Sequence, residues 1–266
     1  MNKTIILLSL LLSFITPLFG ANHPEKVLLF YNMEADTTFI YKTLSENFVD
    51  FDTLEGKRHI HLTAKGRKYI EISYKDRSGN INLLYSDIID ESINNGRRNT
   101  YHGCPATIYQ TISKFGEIVR KDDNYGIINF FIEFPDKPIG IGHNWSKEYT
   151  NPFNSEIKIK NSYIFAGFVK YQDKQCVKIL FDSYSDNSFN NNKTFTYHIE
   201  AMGKIYFDYK NGVILYSDIL IFNSTKMKNE TNDELYSESR TKSISYLSEI
   251  KNEARISHYN KYYSGQ

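Results

Sequence analysis

Polar and apolar residues alternate with a period of two along most of this chain, and that pattern predicts strands. In KYIEISY (68–74), Ile70, Ile72 and Tyr74 share one face while Tyr69, Glu71 and Ser73 share the other. In EIKIKNSYIF (156–165), Ile157 and Ile159 alternate with Lys158 and Lys160, and KIYFDY (204–209) sets Ile205, Phe207 and Tyr209 against Lys204, Tyr206 and Asp208. Each reads as a strand with one buried face. The same reading predicts strands at 27–32, 37–44, 59–63, 80–85, 107–113, 117–121, 127–134, 164–171, 177–183, 194–200, 213–223 and 234–247. Helix is scarce. SDIIDESINNG (86–96) fits one short helix with Ser86 as its N-cap and Gly96 beyond its end. Residues 36–51 read either way, because Phe39, Leu44, Phe48 and Phe51 also fit a helical face.

Turn chemistry joins these strands into hairpins. DRSGN (76–80), SKFGE (113–117) and YKNGV (209–213) each place a glycine in a tight turn, and Asn211-Gly212 is the strongest short hairpin signal. Successive strands are therefore expected to be antiparallel neighbours. The segments TYHGCPATIYQTISKFGEIVRK (100–121) and TYHIEAMGKIYFDYKNGVILYS (196–217) align without gaps. That echo fits two similar β-meanders, 21–133 and 134–250, in one domain; amphipathic strands also resemble one another by chance. Residues 251–266 lack apolar patterning and read as a flexible tail.

The joint between the halves is FPDKPIGIGHNW (134–145). Pro135 and Pro138 lack backbone donors, so the stretch does not suit a central strand. Gly140 and Gly142 do not form a dinucleotide loop, because Trp145 stands where its third glycine would fall. Trp145, the only tryptophan, is expected to serve with Pro138 and Gly142 as a structural anchor, burying a large apolar area at the start of the second half.

The N-terminus MNKTIILLSLLLSFITPLFG has a single charge, Lys3, then an apolar run, Pro17 and small residues, the layout of a secretory signal peptide over 1–20. The apolar stretch is shorter than the ~20 residues a spanning helix needs; a retained anchor is the alternative. After cleavage a secreted or periplasmic chain with no transmembrane segment is expected. Cleavage removes one of 32 basic residues and none of 31 acidic ones, leaving equal numbers. That balance removes the electrostatic case for nucleic acid or an anionic membrane. Two cysteines, Cys104 and Cys176, permit one disulfide in an exported chain; the alternative is two buried small side chains.

Candidate chemistry is thin. His59 and His61 in KRHIHL share a strand face at a chelating spacing, but no third ligand accompanies them. Their bland reading is a solvent-facing stripe. His102 and His198 occupy matched positions in the two echoed segments, which suggests a common structural role. DSYSDNSFNNNK (182–193) is oxygen-rich but lacks the calcium-loop glycine, so a solvated hairpin loop is expected. No nucleophile elbow is present, Cys104 with His102 lacks an orienting third group, and carboxylate pairs such as Asp50/Asp52 or Asp122/Asp123 are ordinary in loops. No cofactor or metal is expected, and no enzymatic activity. Asn144, Asn192, Asn223 and Asn229 begin Asn-x-Ser/Thr sequons, relevant only in a eukaryotic secretory pathway.

NMEADTTFIYKT near the mature start, FPDKPIGIGHNWSKEY in mid-chain and KQCVKILFDSY before GKIYFDYKNGVI together resemble an uncharacterised family of secreted bacterial proteins, a domain of unknown function. A Pro-x-x-Pro-[IV]-x-x-Gly-x-x-Trp element belongs to that family; Pro135, Pro138, Ile139, Gly142 and Trp145 fit it. The resemblance spans 27–250 and implies a mainly β fold, a long curved antiparallel sheet or half-barrel similar to the LolA-like lipoprotein carriers. It brings no catalytic residues. The function it implies is binding of a hydrophobic or lipid-like ligand on a concave apolar face, expected to include Phe130, Ile205 and Phe207. The alternative is a surface module whose 21 tyrosines contact a protein or glycan.

Overall fold

A computed structural model describes residues 24–53, 55–100, 107–121, 131–151, 154–189, 195–228 and 234–252. Twelve strands among them form one open antiparallel sheet. In chain order they are β1 (Thr37–Thr53), β2 (Gly56–Lys75), β3 (Ile81–Asn94), β4 (Arg97–Thr100), β5 (Thr107–Ile112), β6 (Ile118–Lys121), β7 (Asn144–Asn151), β8 (Asn154–Tyr171), β9 (Lys174–Phe189), β10 (Phe195–Asp208), β11 (Val213–Lys228) and β12 (Glu234–Lys251). Across the sheet the order is β6-β5-β3-β2-β1-β12-β11-β10-β9-β8-β7, with β4 pairing the far end of β3. Neighbours in sequence are neighbours in space except at β4–β5, which both pair with β3, and at β6–β7. The chain crosses from edge strand β6 to edge strand β7, and β1 pairs with β12 along a seam running from Thr38 opposite Lys251 to Phe51 opposite Ser237.

The sheet is curved. β1 and β8 stand five strand positions apart, roughly 24 Å in a flat sheet. Yet Tyr41 on β1 and Tyr163 on β8 both act electrostatically on the phenol of Tyr31. The sheet closes around that residue from both sides.

Tyr31 belongs to one of two irregular segments, 24–36 and 131–143, that plug one end of the inner face. Val27, Leu29, Tyr31 and Met33 of the first are buried, as are Phe131, Ile132, Phe134 and Ile139 of the second. Val27 and Ile139 exchange backbone hydrogen bonds of 2.8 and 2.9 Å, and the Ile132 amide donates to the Tyr31 hydroxyl at 2.8 Å. Ring centroids of Phe131, Phe134 and Phe207 lie 5.2, 5.3 and 5.5 Å from that of Tyr31. Two hairpin turns clamp the first segment: the Tyr31 amide donates to Lys114 and the Asn32 amide to Gly212. These turns belong to the two echoed segments of the sequence. Gly116 (φ 89°) faces the Ile132 carbonyl and Gly212 (φ 65°) the Asn32 amide, so closely that a Cβ would stand 2.1 and 2.2 Å away. Only glycine fits.

Several expectations are corrected. Residues 86–96 are not a helix: Ser86 to Asn94 continue β3, paired with Leu62–Tyr69 of β2. Residues 27–32 alternate as a strand would, but only Val27 forms a bridge, and the alternation reflects burial against the sheet instead of a ladder. Residues 131–134 are likewise irregular. Residues 182–189 are not loop but the end of β9, while 144–151, for which no strand was expected, form the edge strand β7. The two runs 59–63 and 68–74 are one strand, β2. The ambiguous 36–51 is β1. The signal segment 1–20, His102, Cys104, Phe130 and the tail from 253 lie outside the described residues.

Candidate functional site

Past the plug, the inner face continues for half the length of the long strands. Its residues follow from register: Ser45 faces Ser243, which faces Ile219; Asn47 faces Thr241, which faces Ile221. Beyond lie Gly203, Ala201 and Ile199 of β10, and on the other flank Gly66, Ala64, Leu62 and Ile60 of β2. Burial alternates accordingly. On β12, Ser237, Ser239, Thr241 and Ser243 are half-buried while Glu238, Arg240 and Lys242 between them are exposed. On β12, then, the inner face of the curved sheet forms a trough more sheltered than its reverse, while on β11 residues 218–225 are half-buried on both faces.

The trough has a central floor of small hydroxyl side chains on β12 and aliphatic flanks on β2, β10 and β11. Part of this floor is hydrogen-bonded: Thr241 Oγ1 donates to Asn47 Oδ1 at 3.0 Å and Asn223 Nδ2 to Ser239 Oγ at 3.2 Å. Among the described residues, Asn223 Oδ1 and Ser92 Oγ are buried without a hydrogen-bond partner. Close backbone approach dictates two glycines. A Cβ on Gly203 would meet the Asp218 carbonyl at 2.3 Å and one on Gly66 the Ile88 carbonyl at 2.2 Å. Both positions leave the trough wall bare of side chain.

At the closed end stands Lys68, on the same face of β2, opposite Tyr41 on one side and Asp87 on the other. Its ammonium lies 5.4 Å from the Tyr85 ring centroid, and the Tyr85 hydroxyl donates to Asp87. Burial pulls the Lys68 pKa below the ordinary lysine value, and the Asp87 charge partly opposes this. The sequence reading missed both Lys68 and the hydroxyl floor, although SESRTKSIS (237–245) carries the floor's period-two signal.

The face expected to hold a ligand is closed by the core. Ile205 and Phe207 are not left open: Phe207 is fully buried, 4.7 Å from Phe134 between ring centroids, and Ile205 belongs to the same core. Trp145 is half-buried on β7, stacks on Tyr163 at 5.3 Å and donates from Nε1 to the Glu133 carbonyl at 2.8 Å. Pro138 is exposed beside the buried Ile139, and Gly142 (φ 84°) is exposed, its amide donating to Phe165 at 2.8 Å. Cys176 is fully buried, and burial pushes its thiol pKa up to about 12. Its proposed partner Cys104 lies outside the described residues.

The outer face carries His59, His61 and His198. His59 Nδ1 lies 2.6 Å from Asp50 Oδ1, His61 Nε2 3.1 Å from Glu46 Oε1, and His198 Nε2 3.2 Å from Glu200 Oε1. Among the described residues, no group of three or more His, Cys, Asp or Glu could hold a metal. A shallow cleft of about 550 Å³ includes Phe48, Asp50, His198, Glu200, Phe222 and Arg240. Phe48 stacks on His61 at 4.3 Å, and the Arg240 guanidinium lies 5.7 Å from the Phe222 ring centroid. Further along the face Tyr171, Tyr206 and Tyr216 form a cluster with centroids 5.2 to 5.4 Å apart.

No protein-family model matches the chain, and no curated protein matches it. The chain is similar to lipovitellin, in a structure of its lipid–protein interactions, at 9% identity and a TM-score of 0.48. That alignment covers 83% of this chain and 26% of lipovitellin, so the chain spans about a quarter of that protein. It is similar to an exported protein with a YmcC-like fold from Bacteroides fragilis at 13% identity, covering 84% of this chain and 99% of that one, with a TM-score of 0.37. A domain of an outer membrane lipoprotein-sorting protein from Vibrio parahaemolyticus aligns at 10% identity over 79% of this chain and 84% of its own, with a TM-score of 0.15. Among the described residues, no helix is long and apolar enough to cross a membrane.

Proposed function

We propose that this chain is an exported, non-enzymatic binding protein that holds one elongated hydrophobic or lipid-like molecule in the trough of its curved sheet. The observation that carries this reading is the sheltered inner face of β12, where Ser237 to Ser243 stay half-buried beyond the end of the aromatic plug. Small floor residues leave room for a ligand, and Ile60, Leu62, Ile199, Ile219 and Ile221 supply apolar walls. Each ligand methylene taken from water would contribute about 0.8 kcal/mol.

Titration with cis-parinaric acid, a fluorescent long-chain fatty acid, tests the reading. Saturable one-to-one binding is expected. Ser243→Phe, which fills the floor, lowers the affinity about tenfold, or about 1.4 kcal/mol, whereas Lys242→Phe on the outer face leaves it unchanged. No saturable binding, or equal loss in both variants, contradicts it.

A second reading, a surface module for a protein or glycan, draws on the outer cleft beside Phe48 and Phe222 and on the cluster of Tyr171, Tyr206 and Tyr216. Aromatic surfaces of this kind favour contact with partners. Screening on a glycan array separates the readings: glycan binding lost in Phe222→Ser and kept in Ser243→Phe favours the module.

A further inference from the structure

We propose that the trough selects an uncharged amphiphile of the acylglycerol class, whose hydroxyl and ester groups lie on the floor at Ser45 and Ser243 and whose acyl chain runs from there toward the open end. The inference rests on the trough being the binding site and adds the charge and polar chemistry of its occupant.

The first observation is the distribution of charge. The inward positions of β1 from Tyr41 to Phe51, of β12 from Ser237 to Leu247, of β11 from Ser217 to Thr225, of β10 from Ile199 to Phe207 and of β9 from Val177 to Ser185 are all uncharged. Charges that face inward stand on the flanks, and most are matched there. Lys68 faces Asp87 across the β2–β3 ladder, the Arg58 guanidinium lies 2.7 Å from Glu55, and the Lys147 ammonium lies 3.3 Å from Glu133. Arg97, opposite Asn94, belongs to the exposed tip of the β3–β4 hairpin. A carboxylate or phosphate laid on the central floor would give up its water without gaining a counter-charge, a loss that an uncharged head group avoids.

The second observation is the set of hydroxyls that the protein leaves unpaired. Thr241 and Ser239 are engaged with Asn47 and Asn223. Ser45 and Ser243, directly opposite one another across the β1–β12 seam, are half-buried, and among the described residues neither side chain hydrogen-bonds to the protein. A bare hydrocarbon laid over this pair would strip their water and return nothing. Glycerol hydroxyls and an ester carbonyl replace that water, because a serine hydroxyl both donates and accepts.

The flanks set the direction of the chain. Toward the plug the floor closes at Ser245 and Leu247, both buried. Toward the open end it continues from Ser243 to Ser237, roughly 20 Å, with Leu62 and Ile60 on one side and Ile221 and Ile199 on the other. That length accommodates an extended twelve-carbon chain.

Calorimetric titration with 1-lauroylglycerol and with laurate at pH 8.5, where laurate is ionised, tests the inference on the full chain, on Ser45→Ala/Ser243→Ala and on Ser243→Lys. Circular dichroism confirms that the variants fold. The unaltered chain is expected to bind lauroylglycerol at least tenfold more tightly than laurate. The double alanine variant should weaken lauroylglycerol about fivefold and change laurate less than twofold. Ser243→Lys, which supplies the counter-charge that the floor lacks, should shift the ratio of the two affinities at least tenfold toward laurate. Laurate binding as tightly as lauroylglycerol to the unaltered chain overturns the selection of an uncharged head. Lauroylglycerol indifferent to the double alanine variant overturns the role of Ser45 and Ser243. Both of those results leave the trough reading standing, whereas failure of both ligands to bind the unaltered chain overturns that reading, and this inference with it.

Discussion

The hydroxyl of Tyr41 donates a 2.9 Å hydrogen bond to the carbonyl of Ile214, 173 residues further along the chain. Tyr41 lies on β1 and Ile214 on β11, with β12 between them. A side chain spans that gap because the sheet bends inward at the β1–β12 seam, so this contact ties β1 to β11 at the base of the trough. Tyr41→Phe keeps the ring and removes the hydroxyl, leaving a buried carbonyl short of a donor. A loss of about 1–3 kcal/mol is expected, measured by urea unfolding; an unchanged midpoint would mean that the contact adds nothing to closure.

Buried phenols set the alkaline limit of the fold. Burial raises Tyr31, Tyr41 and Tyr85 above the ordinary tyrosine value and Tyr163 to about 12, while an unfolded phenol titrates near 10.0. Below pH 10 both states hold these protons and stability is fully present. Above it the unfolded chain releases protons that the folded chain keeps, so stability falls as pH rises toward the folded values. The slope is about 1.4 kcal/mol per pH unit for each phenol still protonated. Absorbance at 295 nm should show a late group of tyrosines that ionise together with unfolding; smooth titration of all phenols near pH 10 without unfolding would contradict this.

Gly116 and Gly96 separate backbone strain from close approach. Both have positive φ, 89° and 82°, but a Cβ at Gly116 meets the Ile132 carbonyl at 2.1 Å, whereas at Gly96 nothing lies within 4 Å. Gly96→Ala is expected to cost about 1 kcal/mol of strain and Gly116→Ala at least about 2 kcal/mol more. Thermal unfolding of the pair decides it, and equal losses would mean that the close approach of Gly116 to Ile132 adds nothing.

Trp145 reports the second plug segment. Because it is the only tryptophan and is tied to Glu133 by its indole NH, its fluorescence follows the docking of residues 131–143. Trp145→Phe should cost about 1–3 kcal/mol through the lost hydrogen bond and packing. In the unaltered chain the red shift of its emission should coincide with loss of β-sheet circular dichroism in a urea titration. An earlier shift would show that the plug leaves before the sheet opens.

Most strands were legible because alternation records which side of a residue is buried. KYIEISY and EIKIKNSYIF fall within β2 and β8, KIYFDY lies in β10 but for Tyr209, and Asn211-Gly212 makes the β10–β11 turn. Alternation does not record what does the burying. Val27, Leu29, Tyr31 and Met33 alternate against a sheet face without joining a ladder. Ser86 to Asn94 offered helix-like caps, and pairing with β2 outweighed them. β7 escaped notice because an edge strand carrying Ser146, Lys147 and Glu148 has little apolar signal. The trough was illegible for a different reason. It exists only because β1 pairs with β12, some 200 residues away, and that pairing sets Ser45 beside Ser243. Ile205 and Phe207 were read as a ligand surface because nothing local reveals that Tyr31 and Phe134 cover that end of the face.

Isoleucine methyl NMR with oleate as the probe tests the trough most directly. Ile60, Ile199, Ile219 and Ile221 face inward, whereas Ile244 and Ile164 lie on the reverse of the same sheet. The account predicts saturable shifts of the inward methyl resonances on titration, with those of Ile244 and Ile164 unmoved. Shifts confined to Ile244 and Ile164, or none at all, would contradict it.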